Sequence, residues 1–245
     1  MDALLLKRYV DARAHHTDAR QLETLLDRII PRPDLHARFV NTLARLEYVG
    51  VRKMLKSRRA ERLDLDGLQH LLDEAVHALR LKKAAAALGA AGGAAVTTFS
   101  DADTLAGEAG EAYFQALDRR AVTALAAGAH DGVLTDGARA EANYLLTSAA
   151  IEVRAQAFYP MYEQRLRAHG APFSVSAITK DEDRHLQEMS ERLQALLGTA
   201  PRGLEGVLAE EELLYGHFLA ALASAIDAAP LAPARNAAGA PRASV

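Results

Sequence analysis

The stretches Leu71-Leu72-Asp73-Glu74-Ala75-Val76-His77 and Thr179-Lys180-Asp181-Glu182-Asp183-Arg184-His185 carry the pattern Asp-Glu-x-x-His twice in one chain. Both stand in segments dominated by Ala, Leu, Arg and Glu, the strongest helix formers. On a helix, residues three apart share a face, so each Glu and its His can reach one ion. Each copy also has a Glu upstream on an apolar stripe. Glu47 is flanked at helical spacing by Leu43, Val51 and Met54, and Glu152 by Leu145, Ala149, Ala155 and Tyr159. A lone carboxylate on such a stripe is costly to bury without a partner. Glu47 precedes Glu74 by 27 residues and Glu152 precedes Glu182 by 30, so the chain holds two similar half-sites. Together they offer four carboxylates and two imidazoles. One Glu-x-x-His is commonplace on helices; the second copy and the two upstream carboxylates set this set apart from histidines that merely face a core.

The rest of the chain reads as helix nearly throughout. A first segment runs from Ala3 to Ile30 and stops at Pro31 and Pro33. A second covers Asp34 to Arg58, and a third, capped by Asp64 or Asp66, continues through Leu81 toward Leu88. Gly89 to Ala95 reads as a hinge, after which Ser100-Asp101-Ala102-Asp103 resembles a capping box for a helix to Ala127. Gly128 and His130-Asp131-Gly132 end that helix, and Asp136 starts another that reaches His169-Gly170. Thr179, with Glu182 three residues on, opens a helix to Leu197, and a last one spans Gly203 to Ile226. Only Val96-Thr97-Thr98 and Phe173 to Thr179 look strand-like. The expected organisation is one all-α domain over 1–227, its core at about 35–197, followed by a disordered Ala/Pro-rich tail over 228–245.

Composition narrows the chemistry. The 245 residues contain no Cys, which removes disulfides, iron–sulfur clusters and a thiol nucleophile together. With 29 basic against 32 acidic side chains, no long-range attraction to nucleic acid is expected. The longest apolar run, Ala84 to Val96, is too short and too rich in Ala and Gly to span a bilayer, so no membrane partner is expected. Met1-Asp2-Ala3 followed by Lys7 and Arg8 lacks the order of a signal peptide, which makes a cytoplasmic location the expectation. There is no Gly-x-Gly-x-x-Gly, no phosphate-binding loop and no Gly-x-Ser-x-Gly.

Glu47, Glu74-x-x-His77, Glu152 and Glu182-x-x-His185, over about residues 35 to 197, resemble the ferritin-like di-metal carboxylate superfamily, which includes rubrerythrins, acyl-carrier-protein desaturases and ribonucleotide reductase small subunits. The resemblance implies an all-α ferritin-like four-helix bundle with one long helical crossover, here Gly89 to Asp136, and extra N- and C-terminal helices. It implies that Glu74 and Glu182 bridge two metal ions, with Glu47 and His77, and Glu152 and His185, as terminal ligands. Asp73 and Asp181 match the acid that in this superfamily steadies a ligand histidine. Two iron ions are expected, with manganese or a mixed manganese–iron pair as the alternative.

Several assignments stay open at this level. Glu163 and Glu141 lie eleven residues either side of Glu152 on the same stripe, and Glu163 rivals it as the third-helix ligand. Glu152 and Glu182 meet only if residues 170–179 climb back along the helix or Pro160 breaks it. His70 is either a further ligand or proton shuttle, or a histidine of the bundle interior. Tyr48, Tyr159 and Tyr162 are either packing residues or partners of the site. His217 with Glu211 and Glu212 reads as surface, His15-His16 as a solvated pair, and Lys53, Lys56, Arg58, Arg59 and Arg62 as a solvated helix end. The expected function is O2-dependent oxidation or oxygenation of a small organic substrate, with a separate electron donor and a homodimer as an option. The alternatives are a ferroxidase or iron-handling protein, and a metal-free helical interaction or stress protein.

Overall fold

A computed structural model describes residues 3–57, 63–93, 95–127, 135–197 and 202–230. The described residues form eight α-helices and no strand. In chain order these are α1 (Ala3–Ala14), α2 (Thr17–Ile29), α3 (Pro33–Ser57), α4 (Leu65–Gly92), α5 (Gly107–Ala127), α6 (Asp136–Ala168), α7 (Ser176–Leu197) and α8 (Arg202–Ala228). No helix is long and apolar enough to cross a membrane. The expected helix stop at Gly128 and His130-Asp131-Gly132, the residues Arg58, Arg59 and Arg62, and tail residues 231–245 lie outside the described residues.

Two hairpin-like pairs, α3 with α4 and α6 with α7, make the most extensive helix–helix contacts beside α5 with α8. The pairs face each other through α3–α6 and α4–α7, and α5 lies against α3, α6 and α8. Leu26, Ile29, Leu35, Phe39, Tyr162 and Leu222 anchor one part of the core. Leu117, Leu145, Leu193 and Leu208 anchor another. Gly110 permits the close seat of α5: a Cβ there would lie 3.1 Å from Leu46 and 3.3 Å from Phe218.

The boundaries differ from the sequence reading where side chains override propensity. The first segment is two helices, because His16 takes an extended conformation and its ring accepts the Asp18 N–H as the cap of α2. α4 runs through Gly89 to a left-handed Gly93, so the expected hinge begins later. The 100–103 stretch does not open α5, which starts at Gly107. Asp103 instead accepts the backbone N–H groups of Thr97 and Thr98 at 3.0 and 2.7 Å, tying its own loop. Asn41 donates to the carbonyls of Thr98 and Asp103, and Thr42 to that of Leu105, so the loop is held on α3. Neither strand-like piece is a strand: the first is this loop, and the second becomes the start of α7 at Ser176.

Pro160 does not break α6. It sits exposed, on the outer face of the helix. The chain climbs back instead. Gly170, at φ 63°, ends α6, and Glu163 accepts the Val175 N–H at 2.8 Å and the Ser174 hydroxyl at 2.9 Å. Residue 175 therefore stands at the level of residue 163, and α7 descends beside α6 toward Glu152.

Glu211 is not a surface residue: it is fully buried. Arg154 grips both its oxygens at 2.8 and 3.0 Å, Arg13 donates at 3.1 Å and the Tyr113 hydroxyl at 2.7 Å. Arg154 also lies 3.8 Å over the Tyr215 ring. These contacts lock α1, α5, α6 and α8 together. Glu211→Ala would leave the buried Arg154 guanidinium uncompensated and Arg13 with Glu212 as its carboxylate, and is expected to cost about 3–5 kcal/mol, lowering Tm by roughly 10 °C in thermal denaturation.

Candidate metal centre

The inner faces of the two helix pairs converge on one cluster. α3 presents Glu47, α4 presents His70, Glu74 and His77, α6 presents Glu152, and α7 presents Glu182 and His185. His70, Glu74 and His77 lie at i, i+4 and i+7, a stripe on one face of α4. All but Glu47 are buried, and Glu47 is nearly so.

Within the cluster are two sets, each able to hold one ion. His70, Glu74, Glu152 and His185 offer ligand atoms all within 4.8 Å of one another, and so do Glu47, Glu74, His77 and Glu182. Glu74 belongs to both sets. Glu182 also spans them, with Oε1 3.4 Å from His77 Nδ1 and Oε2 3.3 Å from His185 Nδ1. The two carboxylates of the repeated motif therefore lie between the sets, and the other ligand atoms lie outside.

The six residues expected from the pattern all reach the cluster. Glu152, not Glu163, supplies the α6 carboxylate; Glu163 is spent on the loop after α6. Sequence reading left His70 between two roles, and the structure brings it in, Nε2 3.3 Å from Glu74 and 3.6 Å from Glu152. Its spacing of four residues before Glu74 was the legible signal. Of the tyrosines, Tyr159 donates its hydroxyl to Glu47. Tyr162 pairs with His36 at 2.8 Å, and Tyr48 is exposed and stacked on Phe99.

The aspartates are exchanged between the motifs. His77 Nε2 lies 3.0 Å from Asp181, and His185 Nε2 lies 3.3 Å from Asp73. Each Asp thus holds the imidazole of the other repeat, a link between α4 and α7 that the sequence could not show. With Nε2 bound outward, Nδ1 of each ring is turned to the carboxylates. Asp181→Asn is expected to weaken binding at the His77 set by about 10–100-fold and to spare the His185 set, read by metal titration.

Electrostatics follow from crowding. Burial, then the charges of Glu74 and Glu182, pushes Glu47 well above the ordinary carboxylate range. Glu152 is raised likewise by burial and by Glu182. Burial also opposes ionisation of Glu74, but hydrogen bonds from His185 and His70 outweigh it and bring it to about 2. Glu182 is lowered against burial by contacts with Glu152, His185 and His77. Burial disfavours both imidazolium ions, yet facing carboxylates lift His77 to about 9 and His185 to about 10. Glu47 and Glu152 are thus raised while Glu74 and Glu182 are lowered, the splitting expected of crowded carboxyl groups.

The donor set fits two divalent ions. Among the described residues, His77 Nδ1 and Glu152 Oε2 are buried without a hydrogen-bond partner. Such groups are costly to bury alone, and both belong to the sets above. Four carboxylates with three imidazoles suit iron or manganese better than copper or structural zinc. Gly50 leaves room over the centre, since a Cβ there would lie 3.3 Å from Glu74 Oε2.

A cavity of about 780 Å³ opens onto the cluster. Glu47, His70, Glu74, Glu152 and Glu182 form one wall of it, and Leu46, Met54, Phe114, Ile151 and Phe158 line its apolar part. No family model, no curated protein and no solved structure matches the chain.

Proposed function

We propose that the chain is a di-iron carboxylate oxidoreductase on a ferritin-like four-helix bundle formed by α3, α4, α6 and α7, with α5 as the helical crossover. In this reading it uses O2 to oxidise or oxygenate a small organic substrate. The observation that carries the proposal is the pair of ligand sets sharing Glu74, opening onto a cavity large enough for an organic molecule. Glu47, His77, Glu152, His185 and His70 would be terminal ligands and Glu74 and Glu182 bridges. Held by these residues, a reduced pair of iron ions would supply two electrons for the reduction of O2.

The chain's residues have definable work around that chemistry. Asp181 and Asp73 keep the ring nitrogens of His77 and His185 oriented. The Tyr159 hydroxyl holds Glu47 in place from outside the cluster. The cavity brings substrate against the carboxylate wall, and its apolar side displaces water as the substrate enters. Inserting one oxygen atom and forming one water takes four electrons, two from the substrate and two from elsewhere. The chain has no Cys for an iron–sulfur relay, so the second pair comes from a separate donor.

A ferroxidase would need a path for Fe(II) but no organic cavity of this size, so the oxidation of an organic substrate is the better reading. Anaerobic Fe(II) loading followed by O2-uptake measurements tests it. About two irons per chain and O2 uptake that rises with an organic substrate are expected. Sustained oxidation of excess Fe(II) without organic substrate would favour the ferroxidase, and failure to take up metal would leave a helical interaction protein.

A further inference from the structure

The cavity has a direction. From Glu47 it follows α3 toward Lys53 and Lys56, and from Glu152 it follows α6 back toward Asn143. Nine residues separate Glu47 from Lys56 and Glu152 from Asn143, about 13 Å of helix in each case. α5 runs alongside α3 in the same sense, since Arg45 pairs with Glu111 and Lys53 with Asp118. The space is therefore a slot with metal ligands at one end and a charged rim at the other.

The rim is cationic. Among the described residues, Arg52, Lys53, Lys56 and Arg119 line this side of the slot against Asp118 and, nearer the ligands, Glu111. Glu111 is held by Arg45 at 2.8 Å as well as by Arg52 at 3.3 Å, and Asp118 is held by Lys53 and by Asn143. Positive charge is left over, with Lys56 and Arg119 both exposed. Asn143 donates its amide N–H to Asp118 at 2.7 Å, which keeps that carboxylate engaged and leaves the charge of Lys56 and Arg119 for an anion.

We infer that the slot takes an elongated organic acid with an apolar body of about 13 Å, its anion at Lys56 and Arg119. This rests on the proposed function above only for what happens at the inner end; the binding itself needs no metal. The apolar end then lies against the carboxylate wall, where oxidation would fall on carbon or on a group remote from the acid. The leftover rim cations steer the acid in.

Isothermal titration of the full chain, metal-free and Mn(II)-loaded, with N-octanoylglycine tests the inference. This probe carries an apolar chain, an amide N–H and a carboxylate in that order. The expected result is binding in both states, weakened at least tenfold in Lys56→Glu/Arg119→Glu, two exposed positions that leave the core intact. Decylammonium should not compete. Ser148→Trp, which fills the slot, should abolish binding while circular dichroism stays helical. Equal binding of decylammonium, or indifference to the charge reversal, would overturn the inference. The metal-free arm separates this from failure of the oxidoreductase reading, which would leave organic-acid binding intact and show no O2 uptake.

Discussion

Glu74→Ala is expected to lose both metal ions, not one. The side chain belongs to both ligand sets, so its removal takes one oxygen donor from each and the link between them. It also releases His70 and His185, which both lie 3.3–3.4 Å from its Oε1 in the wild type. His77→Ala removes a donor from one set only and should keep about one ion per chain. Elemental analysis after anaerobic Fe(II) loading reads the difference, and O2 uptake should fall about 100-fold or more in Glu74→Ala. Two ions retained by Glu74→Ala would show that the sets are independent and would remove the bridging role.

The second large effect is on pH. In the metal-free chain His77 and His185 hold their protons to about 9 and 10 because carboxylates surround them. Their folded pKa values are raised, so both rings are charged at neutral pH, and an ion must displace a proton from each. One ring belongs to each set. Affinity at each set is therefore expected to rise at least tenfold per pH unit between 6 and 8, with Glu47 and Glu152 adding to the slope while they remain protonated. Competition titrations of Mn(II) at three pH values measure the slope, and calorimetry in buffers of different ionisation enthalpy counts the protons released. A flat response would mean that these rings are neutral before metal arrives. The site then could not be charge-balanced by imidazolium.

Much of this centre was legible before any fold was known. Helical spacing alone tied Glu74 to His77 and Glu182 to His185, and an apolar stripe around Glu47 and Glu152 marked carboxylates that need partners. These are local properties, set by 3.6 residues per turn and by the cost of burying charge. Helix type and number followed similarly, except where a side-chain cap cut the first segment at His16 and where Asp103 bound a loop instead of starting α5. A capping side chain has several backbone donors within reach, and its choice among them depends on what the loop packs against.

The choice between Glu152 and Glu163 was not local. It was decided by the return of the chain after Gly170, which placed Val175 on Glu163 and left Glu152 facing α7. The burial of Glu211 likewise depended on Arg13 and Arg154 arriving from two other helices. The exchange of Asp73 and Asp181 between repeats needed α4 and α7 side by side. By itself the sequence determined the helices, the donors each helix carries and the absence of thiol chemistry. Tertiary structure decided which donors stand within reach of one another, that His70 joins them, and that a cavity opens onto them. The physical reason is range: periodicity and propensity act within a few turns of chain, whereas a ligand set joins residues up to 135 positions apart, such as Glu47 and Glu182.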